Sequence, residues 1–259
     1  MELMNTSMMK QFFKGLNIWR RFFFGTVIAA SLAFANDITY TVDGKQYEGY
    51  YKSPAKDAPL VFMVHDWDGI NDYEKKRVQM LNDLGYAAFA VDLYGKGIRP
   101  TEFKDKKANA VALYKDREKM RKLLYAGLDE AKKQGANTNN AVGTGYCFGG
   151  SSILEFARSG ANLKAFVPFH GNLFTPKGQD YKQTKGKVVV FHGSADKVVP
   201  FKEFADLATE LEATGINHEM LTYSGAPHAF TVFGSDRYRK DADMKSWNRF
   251  TQVLDETLK

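Results

Sequence analysis

The sequence contains few of the residues that characterise disulfide-rich, zinc-binding or multidomain proteins. It has one cysteine, Cys147, and seven prolines in 259 residues. A single cysteine excludes an internal disulfide framework and a cysteine-rich zinc site, and so few prolines argue against a long interdomain linker. There is no internal repeat and no low-complexity tract. With 44% hydrophobic and 25% charged residues, the chain has the composition of a globular protein with a full-sized core.

The sequence also lacks an apolar run long enough for a typical membrane-spanning helix. The longest candidate, Phe22–Ala35, falls short of the ~20 residues that such a helix needs. It follows four basic residues and ends in Ala33-Phe34-Ala35, which is the organisation of a secretory signal peptide. We therefore predict cleavage after Ala35, an exported periplasmic or secreted protein, and a single mature domain over 36–259 without stable membrane association. An uncleaved membrane anchor is the alternative.

A strong charge of one sign is missing from the predicted mature chain. The formal net charge of +6 falls to +3 when residues 1–35 are removed. Basic residues such as Lys104 and Lys106 are interleaved with Asp105 rather than massed together, which is typical of a solvated surface. The sequence therefore does not predict a nucleic-acid partner.

Short, nearly continuous apolar runs alternate with helical patterns along the mature chain. Continuous runs favour strands that are covered on both faces. The runs are Leu60–Val64, Tyr86–Val91, Val142–Tyr146, Leu163–Phe169, Lys187–Phe191 and Met220–Tyr223. The segment Ile38–Ser53, with Asp43-Gly44 between two β-rich stretches, instead predicts an antiparallel hairpin at the sheet edge.

Apolar residues at helical spacing lie between several of these runs. One stripe follows Pro200 and stops at Gly215, and a further helical segment, Ser151–Ser159, follows the glycine-rich stretch Gly143–Gly150. The stripes are Met120, Leu123, Leu124, Leu128 and Ala131; Phe204, Leu207, Ala208 and Leu211; and Met244, Trp247, Phe250, Val253 and Leu254. Alternation of strands and helices predicts an α/β fold with a doubly wound, mostly parallel sheet and helices on both faces.

The segment most informative about function is the glycine-rich stretch Gly143–Gly150, which surrounds Cys147 and joins a predicted strand to a predicted helix. A nucleophile elbow needs this pattern, because flanking glycines let neighbouring backbone approach a strained strand-to-helix turn. A buried, unreactive cysteine is the alternative interpretation.

Two residues further along the chain supply the acid and base that such a nucleophile requires. Asp196 follows the apolar run that ends at Phe191, and His228 follows the run that ends at Tyr223. Ligands of open α/β sheets bind at the carboxyl ends of the strands, and the order nucleophile, acid, histidine is that of α/β-hydrolases. Either residue alone would be read as a solvated loop residue; together they predict a Cys147-His228-Asp196 triad.

These motifs resemble the dienelactone hydrolase family of α/β-hydrolases. The resemblance covers nearly all of residues 45–258. It rests on the elbow Gly143–Gly150, on Gly193–Asp196 leading to Pro200, on the Gly225–Phe230 histidine loop, and on Val91-Asp92-Leu93-Tyr94. It implies an α/β-hydrolase fold, with Cys147 as nucleophile, His228 as base and Asp196 as the residue that orients the base.

Chemistry assigns further roles around this triad. A neighbouring imidazole and a helix N-terminus both favour the reactive thiolate of Cys147. The N–H of Phe148, directly after the nucleophile, is one expected oxyanion donor, and the N–H of Trp67 is the candidate for the other. Trp67, Tyr146, Phe148, Phe169 and His170 are either pocket-lining aromatic residues or simply core.

The resemblance also assigns residues to substrate binding and gating. Asp66 occupies the position of a family glutamate that holds the thiol until substrate arrives, although a loop or helix-capping carboxylate is the alternative. Tyr94 and Lys96 fall where the family has a tyrosine and an arginine that contact the substrate carboxylate. A second family arginine is Val232 here, so an anionic dienelactone is a doubtful substrate, unless Arg99 or Arg237 compensates.

The resulting prediction is a hydrolase of small esters or lactones that forms a thioester acyl-enzyme at Cys147. No cofactor and no metal is implied, and His65, His192 and His218 lack metal-ligand spacing. A thioesterase or peptidase on the same fold, and a non-catalytic binding protein, are the competing interpretations.

Overall fold

The computed structural model of the protein describes residues 36–259. The predicted signal peptide, residues 1–35, lies outside the described residues. The first two strands, β1 (Asn36–Val42) and β2 (Lys45–Lys52), form a hairpin. Asp43 and Gly44 join them with φ values of 50° and 75°, the left-handed conformation at both central positions that a two-residue hairpin turn needs. The predicted hairpin is confirmed.

The hairpin continues into one eight-stranded mixed sheet. The other strands are β3 (Pro59–Val64), β4 (Ala87–Val91), β5 (Asn137–Tyr146), β6 (Ala165–Phe169), β7 (Lys187–Gly193) and β8 (His218–Tyr223). Their order is β1-β2-β4-β3-β5-β6-β7-β8, and β2 pairs antiparallel with β4. All pairs from β4 to β8 are parallel, so the carboxyl ends of six strands meet at one edge.

Helices cover both faces of this sheet, as predicted. They are α1 (Asp72–Asp83), α2 (Phe103–Lys115), α3 (Arg117–Lys133), α4 (Phe148–Arg158), α5 (Phe201–Thr214) and α6 (Lys240–Leu258). Alternate residues of β3 divide between two cores because side chains of a strand point to opposite faces. Phe62 packs with the core beneath α3, α4 and α5, whereas Val61 packs with that beneath α1 and α6.

The structure differs from the predicted pattern in two details of burial. Met244 belongs to the expected apolar stripe of α6 but is 51% exposed, whereas Phe250, Val253 and Leu254 of the same stripe are buried. The run Met220–Tyr223 forms part of β8, yet no residue of this strand is buried. β8 is the last strand of the sheet, and an edge strand has a neighbour on one side only.

No helix within residues 36–259 is both long enough and apolar enough to cross a membrane.

Candidate active site

The turn between β5 and α4 places Cys147 at the amino end of α4. Its φ of 51° and ψ of −110° are rare for a residue with a side chain, and such strain is found mainly at functional sites. A Cβ on Gly145 would lie 2.3 Å from the Gly149 carbonyl oxygen, and one on Gly149 would lie 2.2 Å from the Val64 carbonyl oxygen. Glycine is therefore required at both positions, as the elbow pattern predicts.

The three residues of the predicted triad meet at the carboxyl edge of the sheet. Nε2 of His228 lies 3.1 Å from Sγ of Cys147, and Nδ1 of His228 lies 2.9 Å from Oδ2 of Asp196. The other carboxylate oxygen of Asp196 accepts hydrogen bonds of 2.8 Å from the N–H groups of Val198 and Val199. These bonds fix the carboxylate, so that it holds the imidazole with Nε2 directed at the sulfur.

The surroundings of Asp196 favour its charged form. Burial opposes ionisation, but the hydrogen bond and the charge of His228, together with the two backbone donors, lower the pKa of the Asp196 carboxyl. An ionised carboxylate at Nδ1 keeps the proton of a neutral His228 on Nδ1 and leaves Nε2 free to accept a proton from the sulfur.

The surroundings of Cys147 differ from the expectation of a thiolate. Burial raises the pKa of the thiol well above its usual value, and the adjacent Asp66 carboxyl, which hydrogen-bonds the thiol, raises it further. Burial also raises the pKa of Asp66 to about 6, with Asp68 contributing in the same direction. At neutral pH the site therefore combines a protonated sulfur with a mostly ionised carboxylate beside it.

The two predicted oxyanion donors, the N–H groups of Phe148 and Trp67, have different hydrogen-bond partners. The Phe148 N–H lies against the Cys147 sulfur and favours its thiolate. The Trp67 N–H donates to Oδ1 of Asp66 over 2.5 Å, so this donor becomes available only when the Asp66 carboxylate moves away. Asp66 thus contacts both the thiol and a candidate oxyanion donor.

The two residues expected to bind a substrate carboxylate, Tyr94 and Lys96, lie in different parts of the structure. Tyr94 is buried beside the site, where its hydroxyl donates to the Trp67 carbonyl over 3.1 Å and its ring packs on Phe148. Lys96 instead turns to the hairpin, with Nζ 2.9 Å from Oγ1 of Thr39 and 3.3 Å from Oε2 of Glu48. The structure does not place Lys96 at the site, because its charge is paired with Glu48.

The two arginines considered as replacements do not reach the triad either. Arg99 donates to the Glu48 carbonyl over 3.1 Å and lies 3.6 Å from the Asp92 carboxylate. Arg237 is exposed on the segment before α6. Val232 is half-buried and contributes an apolar wall to a cavity of about 320 Å³ beside Asp66.

This cavity has a different lining from the aromatic pocket suggested by the sequence. It is bounded by Asp66, Asp68, Asn71, Asp72, Tyr73, Lys76, Val232 and Phe233. Tyr146 and Phe169 are fully buried and pack on one another at 4.8 Å between ring centroids, which makes them core. Phe148 and His170 are buried as well, whereas Trp67 is partly exposed and meets Phe103 edge to face.

Glu74 is a site-supporting residue that the sequence argument missed. Its carboxylate accepts hydrogen bonds from the N–H groups of Asp66 (3.1 Å) and Asn71 (3.0 Å). Burial raises the pKa of Glu74 to about 8. The signal was present in the sequence, since Asn71 and Glu74 form a capping box at the start of α1. Glu74 therefore ties the Asp66 loop to this helix.

Within residues 36–259 no group of three or more His, Cys, Asp or Glu side chains is arranged to hold a metal ion.

Comparison with known proteins agrees with this architecture. The profile of the dienelactone hydrolase family matches residues 47–258. A Salmonella typhimurium protein named as a candidate carboxymethylenebutenolidase is 26% identical over 227 residues, covering 81% of this chain and 82% of the relative. Protein usf of Aquifex pyrophilus is 27% identical over 228 residues, covering 85% and 98% respectively.

Solved structures give the same result for the fold. A dienelactone hydrolase-like promiscuous phosphotriesterase from metagenomic libraries superposes with a TM-score of 0.82 at 27% identity, covering 87% of this chain and 99% of that one. An esterase of Thermogutta terrifontis, at 18% identity and a TM-score of 0.60, covers 88% and 95% and shares the fold. The match over residues 47–258 and these likenesses show that the chain belongs to the dienelactone hydrolase family and is an α/β-hydrolase acting on ester bonds.

Proposed function

We propose that the protein hydrolyses small esters or lactones by acyl transfer to Cys147. The observation that carries this proposal is the continuous contact from Cys147 Sγ to His228 Nε2 (3.1 Å) and from His228 Nδ1 to Asp196 Oδ2 (2.9 Å). These distances allow proton transfer without rearrangement of the triad.

The reaction follows from this geometry in two steps. His228 accepts the thiol proton as Sγ attacks the acyl carbon, and the Phe148 N–H stabilises the negative oxygen that forms. Collapse of the tetrahedral intermediate expels the alcohol, which takes the proton from His228, and leaves a thioester on Cys147. Water activated by His228 then hydrolyses the thioester, releasing the acid and restoring the thiol.

Asp66 restrains the thiol in the absence of substrate. Its carboxylate opposes ionisation of Cys147 and occupies the Trp67 N–H. Substrate entering the site displaces the carboxylate, which lowers the electrostatic cost of the thiolate and frees a second oxyanion donor. This is the role that resemblance to the family gives to the glutamate at this position, performed here by a side chain one methylene shorter.

The preferred substrate is an ester without a carboxylate. An anion buried in a partly dry site needs a paired cation, but Lys96 is paired with Glu48 and Arg99 with Asp92. The cavity beside Asp66 instead presents Asp66, Asp68 and Asp72. Neutral esters should therefore have a higher kcat/KM than matched anionic ones. A preference for the anionic ester that is lost in Lys96→Met would contradict this assignment.

Activity against a panel of p-nitrophenyl esters, lactones, thioesters and a peptide substrate tests the proposed function. Hydrolysis of esters or lactones that disappears in Cys147→Ala supports it. The matched control is His218→Gln, because His218 lies on β8 and its Nδ1 contacts the Ile216 carbonyl over 2.7 Å. Undiminished turnover by folded Cys147→Ala protein would refute the assignment, and activity on thioesters or the peptide alone would favour the competing hydrolase classes.

We further propose that the protein is exported and that residues 1–35 are removed. The support is the basic lead, the short apolar run and the Ala33-Phe34-Ala35 ending. Mass spectrometry of protein recovered from the producing cell should find the N-terminus at Asn36. Recovery of the intact chain in the membrane fraction would favour the anchor.

A further inference from the structure

A second histidine, His170, lies beside the triad. It directly follows β6 and has a φ of 38°, a left-handed conformation. Its ring is buried, with the centroid 5.4 Å from that of His228. A strained, buried and potentially basic side chain in this position requires an explanation, and the triad mechanism does not use it.

Both ring nitrogens of His170 have partners. Nδ1 lies 3.2 Å from the backbone nitrogen of Cys147, and Nε2 lies 2.8 Å from Oγ1 of Thr231. The Cys147 N–H, which also donates to the Phe169 carbonyl over 3.0 Å, can only donate. One imidazole therefore joins the turn of the nucleophile to the loop of the base, since Thr231 is three residues after His228.

These partners determine the tautomer of His170. Because Nδ1 accepts from Cys147, the proton of the neutral ring is on Nε2, which donates to Thr231. Burial, followed by the charge of His228, lowers the pKa of His170 well below its usual value. A neutral ring with both nitrogens engaged cannot serve as a second base.

Thr231 is anchored from the opposite side by a buried polar network. Its Oγ1 lies 2.8 Å from the Tyr73 hydroxyl, and its carbonyl accepts from Nη2 of Arg77 over 3.1 Å. Arg77 is paired with Asp243 of α6, and all four residues are buried. Thr231 is therefore fixed through both its side chain and its backbone.

We propose that His170 is a positioning residue that couples the Cys147 turn to the His228 loop through Thr231, and so maintains the contact between the sulfur and Nε2. This inference rests on the proposed function of the triad. The Arg77–Asp243 pair holds the far end of the connection in place. His170 itself does not contact the reacting sulfur atom through a hydrogen bond in the described structure; its partner is the backbone nitrogen of the same residue.

Kinetics of His170→Phe tests the coupling. The phenyl ring retains most of the volume but loses both nitrogens, so kcat should fall about 10- to 100-fold, the range expected for a displacement of about 1 Å at a reacting centre. KM for a neutral ester should remain within about twofold, because His170 is buried and is not among the residues that line the cavity beside Asp66. His218→Phe is the matched control and should retain the parental kcat.

Two conservative variants separate the ends of the connection. His170→Asn places an amide near the position of Nδ1 and tolerates the left-handed backbone, so it should recover part of the kcat that His170→Phe loses. Thr231→Val removes only the hydroxyl contact and should reduce kcat less than His170→Phe. If His170→Phe does not fold, these two variants provide the kinetic test, and parental kcat in both would overturn the coupling.

Nitrogen-15 NMR of the histidine rings gives a measurement independent of turnover. In the parental protein at neutral pH His170 should be a neutral Nε2–H tautomer, and Thr231→Val should shift its Nε2 resonance. An Nδ1–H tautomer would overturn the inference. An inactive Cys147→Ala variant beside a fully active His170→Phe variant would refute the coupling alone, whereas an active Cys147→Ala variant would refute the triad.

Discussion

The hairpin turn and the nucleophile turn both place a residue with a side chain at a positive φ, but in opposite surroundings. Asp43 has a φ of 50° and Cys147 a φ of 51°. At the hairpin, a Cβ added to Gly44 would meet nothing within 4 Å. At the nucleophile turn, added Cβ atoms at Gly145 and Gly149 would collide with backbone.

The two turns differ in which parts of the chain stabilise them. The hairpin turn depends on its own two residues and on the pairing of β1 with β2. The nucleophile turn is held by distant segments, because Phe169 and His170 accept from the Cys147 N–H, and Val64 approaches Gly149. Changes at the hairpin should therefore have local effects on stability, while changes around Cys147 should alter chemistry.

The largest effect should come from Asp196→Asn, which breaks the chemistry of the nucleophile region without removing a contact of the turn itself. An amide at this position favours the wrong tautomer of His228, and kcat should fall by a factor on the order of 10⁴, as in a serine protease triad. Steady-state kinetics on a neutral ester measures it. A loss of less than about tenfold would show that Asp196 does not orient the base.

Gly149→Ala should produce the next largest effect. It disturbs the close approach of the Val64 backbone to the nucleophile turn, and the hairpin turn has no comparable contact at Gly44. The added methyl group would lie 2.2 Å from the Val64 carbonyl oxygen, and overpacking of this kind costs about 1–3 kcal/mol. Urea denaturation should report this loss in the free energy of unfolding, together with reduced kcat. Parental stability and activity would show that the turn has room to relax.

Asp66→Asn should increase the reactivity of the Cys147 thiol. The pKa of Asp66 is about 6, so its carboxylate is mostly ionised at pH 7 and opposes loss of the thiol proton. Removal of this charge should lower the pKa of the thiol and raise the iodoacetamide alkylation rate at pH 7 about tenfold, if the thiol pKa falls by about one unit.

The reagent reports this thiol alone, because the chain has one cysteine. Asp72→Asn is the matched control, because Asp72 lines the same cavity of about 320 Å³ as Asp66. This variant should change the alkylation rate less than Asp66→Asn. An unchanged or slower rate in Asp66→Asn would contradict the restraining role of Asp66.

Gly44→Ala should have the smallest effect, confined to stability. A side chain at φ 75° costs about 1–2 kcal/mol, while kcat and KM for a neutral ester should remain unchanged. Thermal unfolding and steady-state kinetics measure both. A change in kcat comparable to that of Gly149→Ala would show that the hairpin and the nucleophile turn are coupled.

The sequence predicts most of the fold and the chain positions of the triad, because both depend on local order. Glycines around Cys147 indicate the turn, and the apolar runs before Asp196 and His228 place both after parallel strands, whose carboxyl ends meet at one edge. The hairpin is equally local, since Asp43-Gly44 specifies its turn.

The parts that could not be predicted depend on where side chains point and on contacts between distant segments. Lys96 lies at the chain position that resemblance gives to a substrate-binding cation, but Glu48 on β2 draws it to the hairpin. His170 joins Cys147 to Thr231 across three loops, and no spacing in the sequence reveals this contact. The raised pKa of Cys147 likewise follows from burial and from Asp66, which sequence spacing does not measure.

The central claim is that Cys147 carries the acyl group during turnover. Rapid acid quenching of the protein with a p-nitrophenyl ester, followed by digestion and peptide mass spectrometry, tests this most directly. We predict one acyl group on the peptide that contains Cys147, removed by neutral hydroxylamine as a thioester should be, and absent in Cys147→Ala. Turnover without acylation of Cys147, or a kinetically competent acyl group on another residue such as Ser151, would contradict the account.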